Sequence, residues 1–223
     1  MTPPAEMLRN CPKRNVRIAV EFRLSTNRHG KGWVVATVPA GIIKTYLPSH
    51  DNFRRYYFNK VTGTWSLRIY IDGETKAEEI EAPSLDALFA YMSTAIHSKV
   101  EWNRTPAFAT ISDGIKLYRG LQLLHSSSSA DNPRWHVMQA VIAHPLTSYD
   151  VRCIWYAFSH TEEWRYWLVV MMCNLASFQV WNWTEGKAAV EASKIAEFLA
   201  QISMDMDKED KKAIANVMQG LWN

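Results

Sequence analysis

The sequence predicts an α+β protein built of two antiparallel sheet-plus-helix halves, in the order ββββα, linker, ββββαα. Three observations predict it: paired runs of β-branched and aromatic residues around glycine turns, apolar stripes of helical period, and one polar stretch between two apolar-rich parts. With 223 residues, 48% of them hydrophobic and 21% charged, the chain is long enough to bury a core in each half.

The first half is predicted to consist of an arm, four strands and a helix. Residues 1–14 contain three prolines and three basic residues, which predicts a basic, flexible arm. Strands are then expected over Val16–Ser25, Trp33–Val38, Arg55–Lys60 and Trp65–Asp72, joined in pairs by glycine-containing hairpin turns. Ser84 is the expected N-cap of a helix with a stripe of apolar residues, namely Leu85, Leu88, Phe89, Met92 and Ile96. This sheet-plus-helix unit is predicted over residues 15–100.

A linker is predicted over residues 101–132, because this stretch contains Pro106, two glycines and the serine run 126–129. A short helix over Ile115–Leu124 is the one element expected inside it. The serine run itself is expected to form a loop.

The second unit, residues 133–223, is rich in tryptophan and permits two interpretations. Dense aromatic and β-branched residues over 134–143, 151–158, 164–173 and 177–183 favour strands. The rival interpretation is helical, because Val151, Ile154, Trp155 and Phe158 have helical spacing after a sequence typical of a helix cap. Two helices are predicted to follow, over 186–203 and 208–222. An exposed pair at Trp181 and Trp183 would mark a surface for a protein partner or for self-association.

Charge is distributed unevenly along the chain. Residues 1–76 hold thirteen Lys and Arg against five Asp and Glu, and residues 77–223 hold twelve against seventeen. Because the basic part alternates with strand-forming residues, it predicts a basic, aromatic-interleaved sheet that binds DNA or RNA. Phosphates would contact the cations and bases would stack on the aromatic rings. The predicted nucleic-acid-binding residues are Arg17, Arg23, Arg28, Lys31, Trp33, Arg54, Arg55, Lys60, Trp65 and Arg68.

Several other classes of protein are not favoured by the sequence. No apolar run is long enough to span a membrane, and no secretory signal pattern is present, so a cytoplasmic, nuclear or nucleoid location is expected rather than secretion. The three cysteines form no CxxC pair, and the histidines lack ligand spacing. We therefore expect no metal, no cofactor and no catalytic residue, that is, a non-enzymatic protein.

One local pattern resembles a known family. It runs Lys60-x-x-Gly63-x-Trp65-x-x-Arg68-Ile69-x-x-x-Gly73 after Arg55, with Ala87-x-x-Ala90-Tyr91 on the following helix. Over about residues 52–98 this resembles the Apetala/ethylene-response-factor type of DNA-binding domain, also called integrase-type. The resemblance implies that Arg55, Lys60, Trp65 and Arg68 face DNA, and that Ala87, Ala90 and Tyr91 brace the helix against the sheet. The element order also resembles the Whirly architecture of single-stranded-DNA binders.

Two alternative functions remain open at this point. The basic sheet would also suit an inhibitor or accessory factor, of the phage or mobile-element type, that docks on an acidic protein partner. Asp51, Glu74 and Lys76 loosely resemble the carboxylates and lysine of a metal-dependent nuclease.

Overall fold

The chain is an α+β protein, and its strands and helices are distributed between two compact units. The computed structural model describes residues 16–24, 33–46, 54–59, 63–71, 80, 82–98, 108–123, 127–159 and 161–222. The first unit comprises residues 1–106 and 119–130, and the second comprises residues 107–118 and 131–223. The predicted arm over residues 1–14 lies outside the described residues.

The first unit contains a four-stranded sheet of strand order β2-β1-β4-β3. Its strands are β1 (Arg17–Leu24), β2 (Trp33–Pro39), β3 (Arg54–Asn59) and β4 (Thr64–Ile71). β1 pairs with β2, and β3 with β4, in the antiparallel sense that the two predicted hairpins require. The four strands therefore form as two local hairpins, each joined by a short connection.

The prediction of a wholly antiparallel sheet is wrong, because β1 and β4 pair in parallel at the centre of the sheet. A helix, α1 (Ala40–Tyr46), also interrupts the expected run of four strands. Parallel neighbours need a long connection, and here β2, α1 and β3 supply it. Ile18, Val20 and Leu67 on the two central strands are fully buried, so this pairing forms the middle of the core.

The helix α2 (Ala82–Ser98) packs against the sheet at β2. It buries the predicted stripe over its first three turns, as shown by Leu85, Leu88, Phe89 and Met92, none of which is exposed. Ser84 is not the N-cap, because the helix begins at Ala82 and the serine is buried within its first turn.

A glycine allows another segment of the first unit to approach α2 closely. A Cβ atom built at Gly120 would lie 2.5 Å from the backbone oxygen of Ser84 and 3.0 Å from the Cβ of Leu88. Only glycine fits such a contact without a shift of backbone.

The second unit contains helices where strands were predicted. Two helices begin or end in the first unit: α3 (Ile111–Leu123) contributes residues 111–118 to the second unit, and α4 (Ser127–Ala143) contributes residues 131–143. The elements that lie wholly in the second unit are α5 (Ser148–Phe158), α6 (Trp164–Ser177), a 3-10 turn (Val180–Asn182), α7 (Gly186–Ile202) and α8 (Lys208–Trp222). Among the described residues of the second half, every regular element is therefore a helix, as the rival interpretation predicts, and the two C-terminal helices match their predicted ranges closely.

Periodicity explains why the helical interpretation holds. On α6, Trp164, Trp167, Leu168, Met171 and Leu175 are all buried, and their spacing of three and four residues is that of a helix. On α5, Thr147 and Asp150 form a reciprocal capping box at the N-terminus, which satisfies backbone N–H groups that a strand would not leave free. The density of β-branched and aromatic residues had indicated strands, but here it fills a helical core.

The predicted linker is also largely helical. α3 occupies residues 111–123, and α4 begins at Ser127, inside the serine run that was expected to form a loop. Pro133 lies within α4, where proline removes a backbone hydrogen bond, and this is why the sequence did not indicate a helix there.

The aromatic core of the second unit is built from pairs of rings. Trp155 and Trp164 meet edge to face with centroids 4.9 Å apart, and Phe158 stacks on Trp167 at 4.6 Å. Trp181 is 42% exposed, but it lies in the 3-10 turn and not in the strand favoured over 177–183, and Trp183 is half-buried.

Buried polar side chains connect the helices of this unit. Asn174 on α6 accepts a hydrogen bond from the Leu146 backbone N–H at 3.1 Å and donates to the backbone oxygens of Val141 and His144. Trp164 donates through its ring N–H to Asp210 on α8 at 2.9 Å. Each bond satisfies a group whose burial would otherwise be costly.

Candidate nucleic-acid interface

The strand register of the first unit separates the sheet residues into two faces. The face that includes the buried residues Ile18, Val20 and Leu67 is called the inner face. The opposite face, formed by the strand positions that alternate with these, is called the outer face. Residues that pair across neighbouring strands share a face, so the pairing assigns each strand residue to one of the two.

One row of residues crosses the whole outer face. It contains one residue from each strand in the order β2-β1-β4-β3, namely Val34, Glu21, Arg68 and Arg55. Neighbouring strands lie about 4.8 Å apart, so Arg68 and Arg55 occupy adjacent positions with Glu21 on the other side of Arg68. We refer to these four residues as the outer row.

The central pair of the outer row is joined by an ion pair. The Nε of Arg68 donates to Oε2 of Glu21 at 3.1 Å, and their side chains are 28% and 21% exposed. The carboxylate therefore orients one guanidinium along the sheet. One glutamate faces two arginine positions in this row, which leaves a net positive charge.

Arginine residues occupy further register positions of the outer face. Arg17 is exposed, and its guanidinium donates to the backbone oxygen of Thr37 at 2.9 Å. Arg23 aligns with Tyr70 and is two positions beyond Glu21 on β1. Among the described strand residues, the outer face thus includes the positions of four arginines, Arg17, Arg23, Arg55 and Arg68, against one glutamate.

The aromatic residue Trp65 lies on the inner face, contrary to the predicted interleaving with Arg68. A second complete row, the inner row, contains Val38, Ile18, Trp65 and Phe58. Trp65 and Arg68 are three positions apart on β4, and because this spacing is odd they lie on opposite faces. Trp33 and Arg54 also occupy inner-face positions of the register, because Trp33 pairs with Phe22 and Arg54 with Ile69.

Several of the predicted residues cannot be placed on either face of the sheet. Arg28, Lys31 and Lys60 lie outside the described residues, as do Asp51, Glu74 and Lys76 of the nuclease alternative. On α2, Ala90 is exposed, so the bracing contact that the family resemblance implied for this residue is wrong, whereas Ala87 and Tyr91 are half-buried.

The ion pair of Glu21 with Arg68 was not predicted from the sequence. Alternation along β1 does put Arg17, Glu21 and Arg23 on one face, and that signal is local. The partner of Glu21 is 47 residues away, and only the parallel pairing of β1 with β4 brings it into contact.

Groups elsewhere that resemble reactive ones have structural roles. Among the described residues, no group of three or more His, Cys, Asp or Glu side chains is arranged to hold a metal ion. Burial raises the pKa of the Cys153 thiol to about 11, so it is neutral near pH 7 and a poor nucleophile. Glu163 accepts hydrogen bonds from the Tyr118 hydroxyl at 2.7 Å and from the Trp167 ring N–H at 3.0 Å, which join core side chains.

Comparison with known proteins gives no assignment of the chain. Within the described residues, no helix is both long and apolar enough to cross a membrane. No protein-family model matches the sequence, and neither a curated protein nor a solved structure is detectably similar to it.

Proposed function

We propose that this protein binds nucleic acid without acting as an enzyme, through the outer face of the sheet in its first unit. The observation that supports this proposal best is the register, which aligns Arg55 with Arg68 and assigns four arginine positions and one glutamate to a single face. A surface with a net positive charge attracts a polyanion, and nucleic acids are polyanions.

The adjacent arginine positions give the proposal a physical rationale. Like charges directly opposite each other destabilise a sheet, and Arg55 and Arg68 occupy directly opposite positions. A phosphate bound beside Arg55 and Arg68 would place a negative charge next to both positions. Guanidinium groups also match the geometry of phosphate oxygens, because they donate two parallel hydrogen bonds.

A salt titration tests the proposal. If Arg17, Arg23 and Arg55 contact phosphate while Glu21 holds Arg68, the logarithm of the affinity for a single strand falls with the logarithm of salt concentration with a slope of about −2.1. Binding of a labelled random-sequence oligonucleotide would then weaken about 18-fold between ~50 and ~200 mM salt. Fluorescence anisotropy measures this directly.

Substitution of the adjacent pair makes the test specific. In the double variant Arg55→Ala with Arg68→Ala, which leaves Arg17 and Arg23, the slope is expected to fall to about −1.4 and the weakening over the same salt range to about sevenfold. The matched control is Lys211→Ala with Lys212→Ala, which removes the same charge from exposed positions on α8. An equal loss in the control would contradict the assignment to the sheet.

A complete lack of oligonucleotide binding at low salt would reject nucleic acid as the ligand. The alternative would then be a protein partner with an acidic surface, docked on the same outer face. The resemblance to the Apetala/ethylene-response-factor domain stays a prediction. It implies preferential binding of double-stranded DNA, and the same binding assay can check this with a duplex.

A further inference from the structure

Burial declines along the inner row from the centre of the sheet to the β3 edge. Val38 and Ile18 are 5% and 0% exposed, Trp65 is half-buried, and Phe58 on the last strand is 48% exposed. The row therefore begins as hydrophobic core and ends as an aromatic surface. A large apolar ring at a half-exposed position leaves much of its area in water, which is unfavourable.

The position of α2 explains this gradient. The helix contacts β2, which lies at the opposite edge of the sheet from β3. Phe58 on β3 is therefore at the edge of the sheet farthest from the strand that α2 contacts. The ring of Phe58 contacts Trp65, with centroids 5.1 Å apart and planes inclined at 46°.

The aromatic pair and the arginine pair belong to the same hairpin. Phe58 pairs with Trp65 and Arg55 with Arg68, so the two pairs are three residues apart on each strand. At about 3.3 Å per residue, the two pairs are ~10 Å apart along the strands. The two pairs lie on opposite faces, with the β3 edge between them.

We propose that Phe58, supported by Trp65, stacks on a base, and that the ligand is therefore a single-stranded nucleic acid that lies across the β3 edge. This inference rests on the proposed function of the outer face. A nucleotide has its phosphate on one side of the sugar and its base on the other. A strand crossing the edge can therefore place phosphates against the outer face and bases against Phe58.

A duplex does not fit this arrangement. Its bases are paired and stacked inside the double helix, so it would offer phosphates to the arginines but no base to Phe58. Stacking on an aromatic side chain is tolerant of sequence and uses a surface that DNA and RNA share. The expected ligand is therefore an unpaired strand, and single-stranded DNA and RNA are the two probes.

The test compares two substitutions of Phe58 with a control. Phe58→Leu keeps an apolar side chain at the sheet edge but removes the ring, and it is expected to weaken single-strand binding by about five- to 140-fold. Phe58→Tyr keeps the ring and is expected to bind like the unchanged protein. Trp135→Leu removes a ring of similar exposure, 55%, from the second unit and should have no effect.

Salt dependence and strand type separate this inference from the function on which it rests. Phe58→Leu should leave the salt slope unchanged, because it removes no charge, and it should leave duplex binding unchanged as well. If Phe58→Leu binds single strands as tightly as the unchanged protein, or if a duplex of equal length binds as tightly as the single strand, the inference is overturned while the proposed function stands. If neither strand type binds at low salt, the proposed function itself fails.

Discussion

Glu21 is predicted to limit the affinity of the outer face for nucleic acid. Its carboxylate accepts a hydrogen bond from Arg68 at 3.1 Å, so it competes with any phosphate for that guanidinium. Glu21→Gln removes the negative charge and keeps an acceptor oxygen of nearly the same shape. We expect this substitution to strengthen oligonucleotide binding, whereas most substitutions at a binding site weaken it.

The magnitude follows from the number of charges. Releasing Arg68 to a phosphate adds one contact, which steepens the salt slope for a single strand by about 0.7. The gain in affinity is then about fivefold at 0.1 M salt and vanishes toward ~1 M. The loss of the ion pair should lower the free energy of unfolding by no more than about 1 kcal/mol, since the pair retains partial access to solvent. Affinity and stability are thus expected to change in opposite directions.

Anisotropy titrations over a range of salt concentrations measure the first change, and urea unfolding measures the second. Glu197→Gln, at an exposed position on α7, makes the same change in net charge away from the sheet and serves as the control. Weaker binding by Glu21→Gln, or an equal gain in the control, would refute the assignment of the interface to the outer row.

Three further predictions concern stability and pH. Gly120→Ala should lower the free energy of unfolding by about 1–3 kcal/mol in urea titrations, because its Cβ would clash with the backbone oxygen of Ser84; an unchanged unfolding midpoint would contradict the close contact. Asn174→Ala should cost about 2–4 kcal/mol, measured in the same way, since it leaves buried backbone groups without partners, and a neutral effect would mean that water replaces the amide. Hydrogen bonds from Ser148 lower the pKa of Glu191 below its usual 4.5. The stability that this group contributes is complete above pH ~4.5 and is lost as the pH falls through the lowered pKa, so thermal melting of Glu191→Gln should show a smaller decline in acid than the unchanged protein.

The hairpins of the first unit could be predicted because their signals are local. Alternating residues and glycine turns lie within a few residues of each other, and β1 and β4 begin within one residue of their predicted starts. The parallel pairing of β1 with β4 could not be predicted, because no local pattern states which strands of two hairpins become neighbours. That pairing determines the faces, and so it determines that Arg68 meets Glu21 and that Trp65 does not join them.

The helices of the second unit show the limit of composition as a guide. Valine, isoleucine and tryptophan favour strands on average, but burial in a helical bundle overrides that preference. The spacing of Val151, Ile154, Trp155 and Phe158 was the better signal, and all four are buried on α5. Where residue composition favours a strand but the spacing of the apolar residues favours a helix over ten or more residues, the spacing is the better guide to the structure.

The parallel contact between β1 and β4 also has a consequence for folding. Each hairpin closes a short loop and can form early, whereas the β1–β4 pairing joins residues 47 positions apart and must form later. The outer row spans that late contact, so neither hairpin alone presents both Glu21 and Arg68. A ligand that binds the completed row binds only the native state, and mass action then makes it slow the separation of the two hairpins. Oligonucleotide should therefore protect the backbone amides of β1 and β4 from hydrogen exchange more than those near the β2 edge.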